Sequence, residues 1–227
     1  MTADNQSLST SFVDELAALH FDNVFNPYAD ICPIHDTPDA ACIRRRNLEL
    51  VLNAAISHGI DSMWIARDLG YRGGRRTGLA LTDEMHLFWY SKLLATPPLM
   101  RATEGPAVTE RTATIVWRAL RLIDRPIFLW NIFPLHPHEP SDPMSNRCHT
   151  QVERTACQQM NLWLIETLCP SKVIAIGRDA QTAMVKLGIK SVKIRHPSYG
   201  GQSEFLTTLA ELYGVSFNLE PYQGKLF

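Results

Sequence analysis

Residues 63–84, MWIARDLGYRGGRRTGLALTDE, run from an apolar segment into a loop carrying Asp68, four glycines and three arginines, and close on Thr-Asp-Glu. Loop signals cut off Met63 to Ala66 so closely that the run reads as a central strand rather than a helix. A junction of this kind puts side chains at the carboxyl edge of a parallel sheet, where ligands collect in open α/β folds. Glycine lets a substrate approach the backbone, and an acid set among cations points to phosphate-bearing ligands. Thr82 and Asp83 are placed to cap a helix running to about Leu94.

Working outward, apolar strands alternate with amphipathic helices. Leu48, Val51, Leu52, Ala55 and Ile56 predict a helix over 44–57, with the arginines Arg44 to Arg46 as its solvated start. Val108 to Ile123 has helical recurrence, and Ile127 to Trp130 reads as a second strand delivering Asn131 to its carboxyl end. The segment IFPLHPHEPSDPMSN holds four prolines and is expected to be irregular. Arg147 to Cys169 shows one apolar face and predicts a single long helix. Lys172 to Ile176 is a third strand leading through Gly177 into GRDAQTAMVKLG, and Ser191 to Ile194 is a fourth, followed by a helix over Gln202 to Tyr213. Strands separated by helices predict a parallel sheet covered on both faces.

The chain has 227 residues, 45% hydrophobic and 20% charged, enough for one well-buried domain over 44–227 with an added arm over 1–43 that begins with a short helix near Phe12 to Leu19 and packs on the domain. With a formal net charge of -1, nucleic-acid contact must come from a local basic patch. No apolar run approaches a membrane span, and MTADNQSLST lacks the features of a secretory signal. Five cysteines without paired spacing favour free thiols in a reducing compartment over a disulfide framework. These features predict a cytoplasmic monomer without a membrane partner.

Three strand ends carry complementary chemistry: Asp68 after the first, Asn131 after the second and His196 after the fourth. On one edge of a parallel sheet they would line a single cleft. Asp can orient a water, Asn offers a donor and an acceptor to an amide-like edge, and His can stabilise a developing anion. In order, type and spacing these residues resemble the uracil-DNA glycosylase superfamily. Ala66-Arg67-Asp68-Leu69-Gly70 is similar to its first motif, Gly78 to Leu81 to its base-stacking segment, Trp130-Asn131 to the strand end that reads the base, and His196-Pro197-Ser198 to the motif opening the loop that enters DNA. The resemblance spans about residues 61–214 and implies an α/β/α sandwich with a central four-stranded parallel sheet.

The same resemblance implies hydrolysis of the N-glycosidic bond of uracil or a related damaged base in DNA, with Asp68 and His196 catalytic. Asn131, Gly70, Tyr71 and Leu81 would bind the base. Arg72, Arg75, Arg76 and the Ser198 amide would hold phosphates, and Tyr199, followed by Gly200, would wedge the vacated stack. Gly70 replaces the Tyr by which uracil-strict members exclude the thymine methyl, which opens the pocket to larger bases. Leu81 replaces a stacking Phe, a role that Tyr71 or Phe133 could take over, and Leu69 replaces Pro. No cofactor is expected. Only Cys157 falls near an iron–sulfur ligand position, Leu135 occupies another, and HPHE at 136–139 lacks a third metal ligand. No G-x-S-x-G elbow, Walker loop or dinucleotide fingerprint is present. Two further classes remain open: a DNA-binding relative without chemistry, and a hydrolase of free nucleosides or nucleotides.

Overall fold

The computed structural model describes residues 3–217. In chain order the elements are α1 (Ala3–Ala17), β1 (Val24–Phe25), α2 (Ala40–His58), β2 (Ser62–Asp68), α3 (Gly74–Thr77), α4 (Leu87–Leu94), α5 (Arg111–Ile123), β3 (Ile127–Phe133), β4 (His136–Pro137), α6 (Gln151–Ala156), α7 (Gln158–Leu168), β5 (Lys172–Ile176), α8 (Arg178–Lys186), β6 (Val192–Ile194) and α9 (Gln202–Tyr213). Four strands form one parallel sheet in the order β3-β2-β5-β6. The first apolar run is therefore an interior strand, and its residues Ser62 to Ala66 are buried on both faces.

Helices cover each face. On one side the Trp64 indole donates to the Tyr213 hydroxyl of α9 at 2.8 Å, and the Tyr90 hydroxyl of α4 accepts the Leu129 amide at 2.9 Å. On the other, the Trp130 indole donates to Asn161 of α7, whose amide donates in turn to the Ile132 carbonyl. Phe12 of α1 stacks on Trp163 and tilts against Trp130, so the first helix adds to this core. Among the described residues no helix is long and apolar enough to cross a membrane.

Several expectations need correction. Thr82 and Asp83 do not cap α4, which starts at Leu87. Asp83 instead accepts the backbone amides of Met85 and Glu110, tying two connections together. The long helix is two, broken at Cys157, and the first begins at Gln151 because Thr150 and Glu153 form a reciprocal capping box. No proline or glycine accounts for the break. Inside the proline-rich segment, His136–Pro137 pairs antiparallel with Val24–Phe25. Arg44 does not start a solvated helix turn. It is fully buried inside α2 and bonds Asp36 at 2.8 Å and the carbonyls of Pro27 and Asp30.

Candidate active site

Strand β2 ends on Asp68, in register with Phe133 of β3, and the ladder continues through the Leu69 amide to the Leu135 carbonyl at 3.2 Å. Asp68 is thereby held rigidly at the mouth of a cleft of about 640 Å³, together with Gly70, Gly74, Leu81, Glu110, Asn146, His196, Ser198 and Tyr199. Its side chain is 5% exposed. One carboxylate oxygen accepts from the Arg67 guanidinium at 2.7 Å and the other is hydrogen-bonded to His149 Nδ1. A carboxylate has about four acceptor sites, so these two bonds fix its plane and leave lone pairs for a water.

Asn131 lies inside β3 rather than beyond its end, because the strand continues to Phe133. It pairs with Ala66, and the alternation of side chains puts it on the same sheet face as Ala66 and Asp68. It is 1% exposed, and neither its amide nitrogen nor its oxygen has a hydrogen-bond partner in the protein. Among the described residues it alone leaves both polar atoms of a buried side chain unpaired. Asn131 is not among the residues that line the cleft around Asp68, but buried groups of its kind are almost always satisfied, so a carboxamide with both ends open is suited to a ligand edge that reaches it.

His196 lies two residues past β6. The Ser198 amide donates to its Nδ1 at 3.2 Å and the Ser198 hydroxyl lies 2.7 Å from the same atom. Nδ1 is therefore the acceptor, which leaves the proton on Nε2. Burial, reinforced by the Arg67 guanidinium, lowers the His196 pKa and keeps the ring neutral. The result is an uncharged N–H donor at the cleft. The turn closes because residue 201 is glycine: a Cβ there would collide with the His196 carbonyl oxygen. The Ser198 amide, expected to face a phosphate, is directed at His196 Nδ1. Tyr199 is 95% exposed on a left-handed backbone (φ 51°), followed by Gly200 at φ 77°.

The loop arginines divide. Arg72 is exposed beside the Tyr71 ring. Arg75 and Arg76 are 3% and 7% exposed and face inward, so they do not reach phosphates. Arg75 lies over the Phe25 ring and bonds His136 Nδ1 at 3.0 Å, and Arg76 pairs with Glu84 at 3.1 Å and with Thr103. Exposed cations that the sequence did not single out lie around the cleft instead. Arg111 and Arg178 line it, and an adjoining groove of about 500 Å³ adds Lys193 and Arg195. Leu81 lines the cleft on a left-handed backbone (φ 53°), a conformation that costs a non-glycine residue ~1 kcal/mol or more. Tyr71 does not line it; its amide is tied to Asn146 at 2.9 Å. Phe133 is buried against Phe21 and His149 and offers no stacking face.

His149, Arg67 and Glu110 escaped the sequence. His149 is 81 residues from its partner Asp68, but the Thr150-x-x-Glu153 pattern marks a helix start and places His149 immediately before it. Glu110, in the residue before α5, has its pKa raised to about 7 by burial and by Asp83, against the attraction of Arg72.

No protein-family profile matches the chain, and no curated protein matches it in sequence. Among solved structures, the SMUG2 protein of Pedobacter heparinus is similar with a TM-score of 0.58, covering 89% of this chain and 97% of that one at 12% identity. At that identity the likeness establishes the fold, and the chemistry rests on the site.

Proposed function

We propose that the chain is a monofunctional DNA glycosylase, hydrolysing the bond between deoxyribose and uracil or a related damaged base. The observation that carries this reading is the buried Asn131 carboxamide, open at both donor and acceptor, on the face that also presents Asp68. The motif resemblance and the fold shared with the SMUG2 protein support it.

A base inside a duplex must rotate out of the stack, at a cost of ~a few kcal/mol that is lower for a mispaired base. Tyr199 offsets that cost by filling the gap, with stacking worth ~1–3 kcal/mol. Its near-complete exposure suits a wedge and has no use in hydrolysis of a free nucleoside. Asn131 reads the keto and N–H edge of the flipped base. As the glycosidic bond breaks, the electron pair moves to the base. The neutral His196 Nε2–H strengthens its hydrogen bond to the oxygen where that charge accumulates, without requiring a proton transfer. Asp68, paired with Arg67, directs a water at the sugar carbon, stabilises the positive charge there and accepts the water's proton as the new C–O bond forms. Arg111, Arg178, Lys193 and Arg195 engage phosphates around the opening.

The test is incubation with oligonucleotides carrying uracil, hypoxanthine or a mismatched thymine, followed by alkaline cleavage at abasic sites. Cleavage at one or more of these bases is expected. Retained DNA binding with no abasic product from any of them would leave a binding protein in place of an enzyme.

A further inference from the structure

The Glu110 carboxyl fills space left by two missing side chains in the loop after Asp68. A Cβ built on Gly70 would lie 2.7 Å from Glu110 Oε1, and one on Gly73 would come closer still to Oε2. Glu110 thus forms part of the wall of the cleft that Gly70, Gly74, Leu81, Asp68 and His196 also line. A carboxyl in that position presents a polar group to a ligand in the cleft. By the resemblance the side chain at position 70 faces C5 of a pyrimidine, so the carboxyl that fills its space faces the position that is the apolar C5–H in uracil and the ring nitrogen N7, an acceptor, in a 6-oxopurine.

We propose that Glu110 contacts the flipped base as a neutral acid and selects 6-oxopurines such as hypoxanthine by donating a hydrogen bond to N7. This rests on the glycosylase reading and specifies its substrate class. Only the acid form can donate, since an ionised carboxylate accepts alone and faces the N7 lone pair unfavourably. The charged groups that act on it are Asp83 in the preceding connection and Arg72 in the glycine loop. The cleft is also lined by Arg111, Arg67, Asp68, Arg147, Arg178, Asp179 and His196. Burial and Asp83 hold its pKa near 7, so the donor is present below neutrality and lost above it.

Excision of hypoxanthine and of uracil is measured from pH 6 to pH 9 for the unaltered protein, Glu110→Gln and Glu110→Ala. For an acid of pKa about 7, the hypoxanthine-to-uracil rate ratio falls about 90-fold over that range. Glu110→Gln keeps an N–H donor that does not titrate, so its ratio stays flat. Glu110→Ala lowers the ratio at pH 6 at least about tenfold. A ratio in Glu110→Gln that falls with pH as in the unaltered protein, or an unchanged ratio in Glu110→Ala, overturns the assignment and leaves the glycosylase reading intact. No abasic product from either base at any pH overturns both.

Discussion

Replacing Asn131 by leucine should make the protein more stable and less active. The carboxamide is 1% exposed with both polar atoms unpaired, and a buried polar group without a partner costs ~1–3 kcal/mol. Leucine keeps the branching at Cγ and removes that cost, while its larger methyl groups take back up to ~1.5 kcal/mol through crowding. A net gain of ~1 kcal/mol follows, which for a chain of this size raises Tm by ~2–4 °C. Excision should fall by ~10²–10³, because the base edge would enter the cleft without its paired donor and acceptor. Urea unfolding with and without the substitution, alongside the abasic-site assay, measures both. A lower urea midpoint in Asn131→Leu would mean that the amide is already bonded in the free protein, and the argument from its open valences would collapse.

Four further outcomes are expected. Asp68→Asn should reduce kcat by ~10²–10⁴ while DNA affinity changes by less than about twofold, and unchanged turnover would remove Asp68 from water activation. His149→Phe keeps a ring but deletes the bond to Asp68; kcat should fall by ~10-fold or more with KM little changed, and an unaltered kcat would make His149 a packing residue only. His136 is fully buried, and burial together with the Arg75 guanidinium lowers its pKa to about 3. As pH falls below ~6.5 the unfolded chain takes up this proton first, so the stability contribution is present above ~6.5 and lost towards 3, by up to ~1.4 kcal/mol per pH unit. Between pH 7 and pH 5 His136→Gln should therefore lose less stability than the unaltered protein, and equal losses would refute the assignment. Arg178→Gln should weaken DNA binding uniformly across sequences and reduce the salt slope by ~1, whereas Arg76→Gln should destabilise the fold and leave the slope alone; the reverse pattern would restore Arg76 to the DNA surface.

The sheet could be read in advance because its strands are short apolar runs that breakers bound tightly, as at Met63 to Ala66 and Lys172 to Ile176. The charges could not. Arg44 and Arg75 look solvated in sequence because their partners Asp36 and His136 lie 8 and 61 residues away and are brought together only by the fold. Arg76 meets Glu84 in the same way, and its guanidinium lies under the loop rather than on it. Helix starts failed for a related reason. Asp83 has the chemistry of a cap, but its carboxylate finds the Glu110 amide across space instead of the next helical turn. Asp68 and His196 could be placed by their positions at strand ends, whereas His149 is visible only through contact.

The interior arginines and the strained cleft belong to one design. Arg75 and Arg76 tie the glycine loop that carries them to the proline-rich segment and to Thr103 and Glu84, while Arg44 ties α2 to the first arm, so the loop between Asp68 and Leu81 is anchored from beneath. In the cleft itself Leu81 stands on a left-handed backbone, a histidine is kept neutral and a carboxyl is held near neutrality by burial, and the unpaired Asn131 amide lies on the sheet face that presents Asp68. Local rules broken together in one place mark a site shaped for something other than folding. The loop arginines that looked like phosphate ligands thus serve the chemistry indirectly. They supply the rigidity that lets the cleft keep groups no unsupported loop could hold in place.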